Sequence, residues 1–348
     1  MMLMVTGGAG FIGSAFVRQA LSLGHSVVNI DALTYAGNLD NLASVEDHPH
    51  YSFEHLDIND RPAVDRLFSA HSPCRVVHFA AESHVDSSIT APDAFIQTNI
   101  IGTFSMLEAA RAYWSQSDRE NFRFHHVSTD EVFGSLDLDE DRLFDEQAPY
   151  DPRSPYSASK AASDHLVRAW HETYGLPVTL SNCSNNYGPF HHPEKLIPVV
   201  ILSCLQNKPI PLYGDGKNVR DWLFVEDHAD AILKIIEKGE IGRTYNIGGE
   251  AELSNLDLVT RICDILDRLR PRDSGSHAEL ITPVKDRPGH DRRYAINISR
   301  IGKELGWRPS VFVDQGLEKT VRWYMDNQDW WRSVLEGQKA RQTDRAPA

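Results

Sequence analysis

The chain has 348 residues, enough for one large core or two moderate ones, and its 41% hydrophobic and 24% charged content is that of an ordinary globular protein. A formal net charge of -14 argues against nonspecific nucleic-acid binding, although a local basic cluster can still hold a small anion. Cys74, Cys183, Cys204 and Cys263 are scattered without a CxxC pair, which argues against a zinc site or disulfide framework and for reduced thiols in a cytoplasmic protein.

Met1 to Val5 lacks a basic segment and reads as the start of a strand, not a signal peptide, and no apolar run is long enough to span a bilayer. Leu3 to Thr6 is a buried strand, and Gly7-Gly8-Ala9-Gly10-Phe11-Ile12-Gly13 follows it at once. A helix comes next, with Phe11, Ile12, Phe16, Val17, Ala20 and Leu21 on one stripe. Gly7, Gly10 and Gly13 thus sit between a first strand and a first helix. There they permit a tight turn and let a pyrophosphate approach the positive helix N-terminus. A second strand, Val27 to Ile30, ends in Asp31, which would accept hydrogen bonds from an adenosine ribose and disfavour a 2′-phosphate. NAD is therefore expected ahead of NADP.

Leu33 to Asn38 is a polar loop suited to the adenine end of such a cofactor. A third strand, Tyr51 to Leu56, delivers Asp57 and Ile58, which read either as contacts to adenine or as a helix N-cap region. A fourth, Arg75 to Phe79, ends in Ala80-Ala81-Glu82-Ser83, small residues that let a cofactor lie against the backbone. Ser83 is a substrate contact or a capping hydroxyl. Pro92 to Ala112 reads as one long helix whose Thr98 and Asn99 have no assignment from chemistry alone. A fifth strand, Phe122 to Val127, leads into Ser128-Thr129-Asp130-Glu131-Val132. Strand and helix alternate throughout, which predicts an α/β fold with a doubly wound, Rossmann-like parallel sheet binding ligands at the carboxyl ends of its strands.

Thr129, Asp130 and Glu131 lie at such an end. Strand alternation would send the two carboxylates to opposite faces, so the backbone must leave extended geometry if both are to meet one substrate. A capping or loop-closing acidic pair is the ordinary alternative. Asp137 to Pro152 is acidic and turn-rich, the composition of a flap. Ser154 to Tyr174 is a helix that places Tyr156 and Lys160 one turn apart on one face. A nearby ammonium and a positive nicotinamide ring would lower the phenol's pKa and fit it to take a proton from a hydroxyl. Leu176 to Asn182 is a sixth strand. Beyond it the dispersed set Lys195-Leu196, Pro211-Leu212-Tyr213, Arg220 and Lys285-Asp286-Arg287-Pro288-Gly289 carries basic side chains that would converge on a diphosphate. Arg220 and Arg287 lead, because a guanidinium grips phosphate bidentately. The adjacent His191 and His192 have no further ligand at metal spacing, so no metal is expected.

The glycine loop with Tyr156-x-x-x-Lys160 resembles the extended short-chain dehydrogenase/reductase superfamily and, within it, the dTDP-glucose 4,6-dehydratase family. The stretches that carry the resemblance run almost from end to end: Asp31 to Asn38, Ala80 to Asp86, Ser128 to Val132, Ser154 to Lys160, Asn182 to Pro189, Pro193 to Pro198, Arg220 to Trp222 and Asp286 to Tyr294. The resemblance implies a dinucleotide site formed by Phe11, Ile12, Asp31, Ala32, Leu33, Thr34, Asp57, Ile58, Phe79, Ala80, Ala81, Glu82, Ser83, Thr98 and Asn186, with Tyr156 and Lys160. It implies that Thr129 bonds the sugar 4-hydroxyl, that Asn185 faces the substrate and that Asn255 meets the nucleotide. Ser87 stands where the family commonly has Arg, and Phe133 where Tyr is frequent. The implied reaction converts dTDP-glucose to a 4-keto-6-deoxy product with tightly held NAD. A UDP- or CDP-sugar dehydratase, a sugar-nucleotide 4-epimerase and a nonenzymatic NAD-binding scaffold are the alternatives. The implied organisation is a cofactor domain over 1–184 with a return segment near 220–247, a smaller C-terminal substrate-binding domain over 185–330, a tail over 331–348, and a homodimer paired through the Pro92 and Ser154 helices.

Overall fold

The computed structural model describes residues 1–116, 121–286 and 289–344. Seven strands form one parallel sheet: β1 (Met2–Thr6), β2 (Ser26–Asp31), β3 (Tyr51–His55), β4 (Arg75–His78), β5 (Arg123–Thr129), β6 (Val178–Cys183) and β10 (Thr244–Ile247). Their spatial order is β10-β6-β5-β4-β1-β2-β3. The chain winds outward from β1 in one direction to β3 and in the other from β4 to β10. The crevice between the ends of β1 and β4 is therefore the switch point where such sheets bind ligands. The sheet is covered on both faces, so its central strands are buried along their length, polar residues such as His125, His126, Thr179 and Asn182 included. Leu3 and Val5 face a layer with Phe16, Val17, Ile232 and Ile236. Met4, between them, faces Val64, Phe68, Met106 and Leu107. Each such large side chain, taken fully out of water, contributes roughly 1.5–3 kcal/mol.

The remaining strands build smaller sheets: β11 (Glu252–Ser254), β9 (Val219–Phe224) and β7 (Asn185–Tyr187) form one, and β12 (Ile281–Val284) pairs with β8 (Ile210–Tyr213) in another. A second apolar core, including Ile197, Ile201, Trp222, Phe224, Ile262 and Val321, joins these to the helices Leu196–Leu205, Asn255–Leu269 and Val313–Asp326.

Two local expectations change. The long helix from Pro92 is interrupted. An α-turn over Pro92–Phe95 passes into a π-helical segment, Ile96–Gly102, before the α-helix Thr103–Trp114. Asn99 explains the widened turn. Its side-chain amide donates to the Glu82 carbonyl (3.0 Å) and Ser159 Oγ (2.8 Å), and its oxygen accepts from Glu82 N (2.8 Å). Such insertions gather at functional sites. The segment 137–152 is pinned where a free flap was expected. Leu136 N donates to Arg293 O (3.0 Å), Phe144 N to Ala295 O (3.0 Å) and Asn297 N to Phe144 O (2.8 Å). Phe133, Leu136 and Phe144 are buried in one cluster with Ile296.

Candidate active site

A cavity of about 720 Å³ opens at the carboxyl ends of the parallel strands. Its floor is the loop after β1. Gly7 has φ +72°, and a Cβ there would lie 2.7 Å from Ala80 N, while one on Gly13 would lie 2.2 Å from Gly7 O. Glycine is thus required where the loop, the helix Phe11–Ser22 and the end of β4 meet. Asp31 closes the crevice. Its Oδ2 accepts from Ala9 N (2.9 Å) and its Oδ1 from Leu33 N (2.8 Å); burial raises its pKa and these two bonds oppose the rise. A glycine-rich floor at a helix N-terminus and an acid at the end of β2 fit a dinucleotide without a 2′-phosphate. Gly10, Phe11, Ile12, Ala32, Thr34, Asp57, Ile58, Phe79, Ala80, Ala81, Glu82, Ser83, Thr98 and Asn186 also line the cavity. Leu33 does not: it sits in the left-handed region at φ 50°, and its backbone N–H caps Asp31 while its side chain is off the wall.

The acidic pair lies in a turn, where the backbone leaves extended geometry as the sequence requires if both are to act. β5 ends at Thr129, and a 3₁₀ turn covers Asp130–Phe133. Thr129 Oγ1 accepts from Glu131 N (3.3 Å) and donates to Asp130 Oδ1 (3.3 Å). Glu131 consequently faces the cavity, whereas Asp130 is buried just behind its wall, with 2% exposure. Burial, then Glu131 and Asp221, hold the Asp130 carboxyl well above the usual range and so favour its protonated form.

Ser154 caps the helix Pro155–Tyr174, accepting from Ser157 N (3.0 Å), and Tyr156 and Lys160 both reach the cavity. The expected lowering of the Tyr156 pKa rests on Lys160 and a positive nicotinamide ring, and the side chains around the phenol act the other way. Burial raises it well above the ordinary phenol value, and Glu131, Cys183 and Asp130 add to the rise, while a hydrogen bond with Thr129 opposes it. The Lys160 ammonium is engaged elsewhere. It donates to Val127 O (2.8 Å), and burial lowers its pKa while Asp164 and Cys183 raise it. Asp164, one turn further along the helix and fully buried, accepts from Ser128 Oγ (2.9 Å), Tyr150 OH (2.9 Å) and Asn182 Nδ2 (3.3 Å), with His126 Nε2 at 3.2 Å. The ring of His126 is nearly neutral, since burial and Lys160 bring its pKa down to about 4 despite Asp164.

Asn185, Lys195, Leu196, Arg220, Asn255 and Gly289 line the far half of the cavity. Arg220 already donates to Val219 O (2.8 Å) and Asp291 O (3.0 Å), and its guanidinium lies 4.2 Å from the Tyr294 ring centre. Pro211, Leu212 and Tyr213 lie outside the cavity lining, in β8, which pairs with Thr282, Pro283 and Val284 in its own small sheet. Lys285 is exposed, and Asp286 turns to His290 Nδ1 (2.7 Å), so neither lines the cavity. Arg287 and Pro288 lie outside the described residues.

Sequence reasoning missed Tyr35, His84, Arg153, His191, His192, Glu194 and Tyr294 as lining residues. The adjacent histidines were the available signal, and they serve as rings. His191 stacks on Phe11 (4.5 Å, 19°), and His192 meets the Tyr35 ring edge-on at 5.7 Å.

This geometry can be set beside known proteins. A profile of the GDP-mannose 4,6 dehydratase family matches residues 4–320. The chain belongs to this family. Within it, the chain is 57% identical over 342 residues to the dTDP-glucose 4,6-dehydratase of Neisseria meningitidis serogroup B, covering 96% of each. It is 57% identical over 348 residues to dTDP-glucose 4,6-dehydratase 1 of Escherichia coli strain K12, covering 97% of this chain and 96% of that one. The fold matches the dTDP-glucose 4,6-dehydratase of Streptomyces venezuelae, solved with NAD and a second ligand bound. The TM-score is 0.87 at 45% identity, over 96% of this chain and all of the other.

Proposed function

We propose that the chain is an NAD-dependent hydro-lyase that converts dTDP-glucose to dTDP-4-keto-6-deoxyglucose. The observation that carries this reading is the unlike pair at the end of β5, a buried Asp130 whose surroundings favour its protonated form beside a cavity-facing Glu131. A sugar 4-epimerase needs Tyr156 and Lys160 but has no use for that pair. The names and ligands of the relatives support the same reaction and cofactor.

Bound NAD supplies a hydride acceptor for C4, a hydride donor for C6 and, when oxidised, a positive charge that favours phenolate. The glycine loop and Asp31 hold it, and the end of β4 encloses it. Tyr156 in its phenolate form, hydrogen-bonded to Thr129, takes the proton of the sugar 4-hydroxyl, and the Lys160 ammonium one turn along the same helix favours that phenolate beforehand. The 4-keto group acidifies the hydrogen at C5, which leaves as a proton to Glu131. Asp130 gives its proton to the departing 6-hydroxyl, and water is lost across C5–C6. After reduction at C6, Glu131 returns a proton to C5. One proton shared between two adjacent carboxyls is what this acid–base division requires. Asn185, Lys195, Arg220 and Asn255 hold the nucleotide diphosphate, with Arg287 in the same role.

Residues 1–184 with 220–247 act as the cofactor unit and 185–330 as the substrate unit, in a cytoplasmic homodimer. The deciding assay is turnover of dTDP-glucose without added NAD and then with it, scored by the alkaline absorbance of a 4-keto product and by loss of 18 Da, the mass of water. Product in the first arm means that NAD co-purifies. Turnover of UDP- or CDP-glucose alone would reassign the base, and interconversion of 4-epimers without loss of water would sink the dehydratase reading.

A further inference from the structure

The C-terminal helix Gln328–Asp344 takes no part in the chemistry described above, yet it reaches the cofactor loop. Trp330 Nε1 donates to Asn41 Oδ1 (2.9 Å), across 289 positions of sequence. The other end of the same amide, Asn41 Nδ2, donates to Ala9 O (2.9 Å), and Asn41 is 3% exposed. Ala9 is the middle of the glycine loop. Its carbonyl also accepts from Asn38 N (3.0 Å), and its N–H donates to Asp31 Oδ2 (2.9 Å). The Asn41 carbonyl in turn accepts from Arg18 Nη1 (2.6 Å), whose guanidinium lies 4.5 Å from the centre of the Phe190 ring. Phe190 packs against Trp330 (5.7 Å) and Trp323 (4.6 Å), and Trp323 against Trp330 (4.9 Å), so the indole is fixed on its faces as well as at its nitrogen.

We infer that Trp330 is a positioning residue for the cofactor loop, acting through Asn41 to hold Ala9 and so slowing release of a bound dinucleotide. The loop has little side-chain packing of its own, since four of its seven residues are glycine, at Gly7, Gly8, Gly10 and Gly13. A backbone without side chains has to be held by its carbonyls and N–H groups, and a buried amide whose two ends are both engaged does so at low entropic cost. An enzyme that restores its cofactor in every turnover gains from a slow release, because each departure ends a run of turnovers. This inference rests on the reading that the cradle holds NAD.

The test measures exchange of bound NAD for isotope-labelled NAD in the full-length holoenzyme. Trp330→Phe keeps the aromatic packing and removes the one N–H, and should exchange on the order of fivefold faster. Asn41→Ala should match or exceed it. The double variant should be no faster than Asn41→Ala, because the indole acts only through that amide. Turnover at saturating added NAD should stay near the parent rate in Trp330→Phe. Val321→Ala, in the same C-terminal core but off this chain of bonds, is the control for general loosening. Exchange at the parent rate in Trp330→Phe overturns the inference. So do independent, multiplying effects of the two substitutions, or equally fast exchange in Val321→Ala at a matched Tm. A parent protein that binds no NAD overturns the cofactor reading itself, and this inference with it.

Discussion

Asp130 and Glu131 are adjacent and chemically alike, yet the turn after β5 gives them unlike surroundings. One is buried with Asp221 and Glu131 as its nearest negative charges, and the other faces the cavity. The consequence is testable in each side chain separately. Asp130→Asn leaves a group of the same shape that cannot give up a proton, and product formation should fall on the order of 10²–10⁴-fold. Glu131→Gln should fall similarly and also stop solvent deuterium from entering C5, read by mass spectrometry. If C5 labelling survives in Glu131→Gln, another group is the base. The pH dependence follows from the direction of the Asp130 shift. Its folded pKa is raised, so the stability it contributes is fully present below the unfolded carboxyl value and is lost as pH rises through the folded value. Asp130→Asn removes that loss, so its Tm should decline less than the parent's as pH rises above the unfolded carboxyl value.

At the scale of elements, the helix Pro155–Tyr174 does more than present Tyr156 and Lys160. Asp164 ties it to β5 through Ser128, to β6 through Asn182 and to the pinned 137–152 segment through Tyr150. Asp164 also raises the pKa of Lys160 against burial. Asp164→Asn keeps the volume but removes the charge and one acceptor oxygen. It should cost about 1–3 kcal/mol in stability. It should also move the alkaline limb of the kcat profile to lower pH, because Lys160 then loses its proton more readily. A stability loss with an unmoved limb would leave Asp164 a purely structural residue. Asp164 was not legible in the sequence, since an acid four residues after a lysine on a helix usually marks a solvated pair. The glycine loop, Asp31 and the Tyr-x-x-x-Lys spacing were legible, because each depends on a local rule of backbone or helix geometry. Asn99 was not. Its partners, Glu82 and Ser159, come from other elements, and the π-helical turn it stabilises has no local sequence pattern. Where Pro211 to Tyr213 sit was not legible for the same reason: they pair with β12, 71 positions away in the register Pro211 to Thr282.

At the scale of the molecule, the proposed homodimer would cover the surface where the Pro92 region meets the helix Pro155–Tyr174. Ile96, Ile101 and Phe104 are each 44% exposed, and Tyr174 45%. The rings form a run across both helices, Phe104 edge-on to Trp170 at 5.7 Å and Trp170 to Tyr174 at 5.5 Å. Aromatic anchors grouped in this way are the kind of surface that carries binding energy when covered. In a two-fold interface every substitution counts twice, so one charge placed in it acts from both sides. Phe104→Asp should weaken the dimer by on the order of 100-fold, read as a shift to the monomer mass in sedimentation velocity at micromolar protein. A parent protein that sediments as a monomer would sink the homodimer. The same face backs onto the site, because Thr98, which lines the cavity, lies in the π-helical turn between Ile96 and Ile101. In the proposed homodimer, covering that face would brace a wall of the cofactor crevice. Phe104→Asp should release NAD faster than the parent once dilution has made it monomeric, and at the parent rate at any concentration where it still sediments as a dimer.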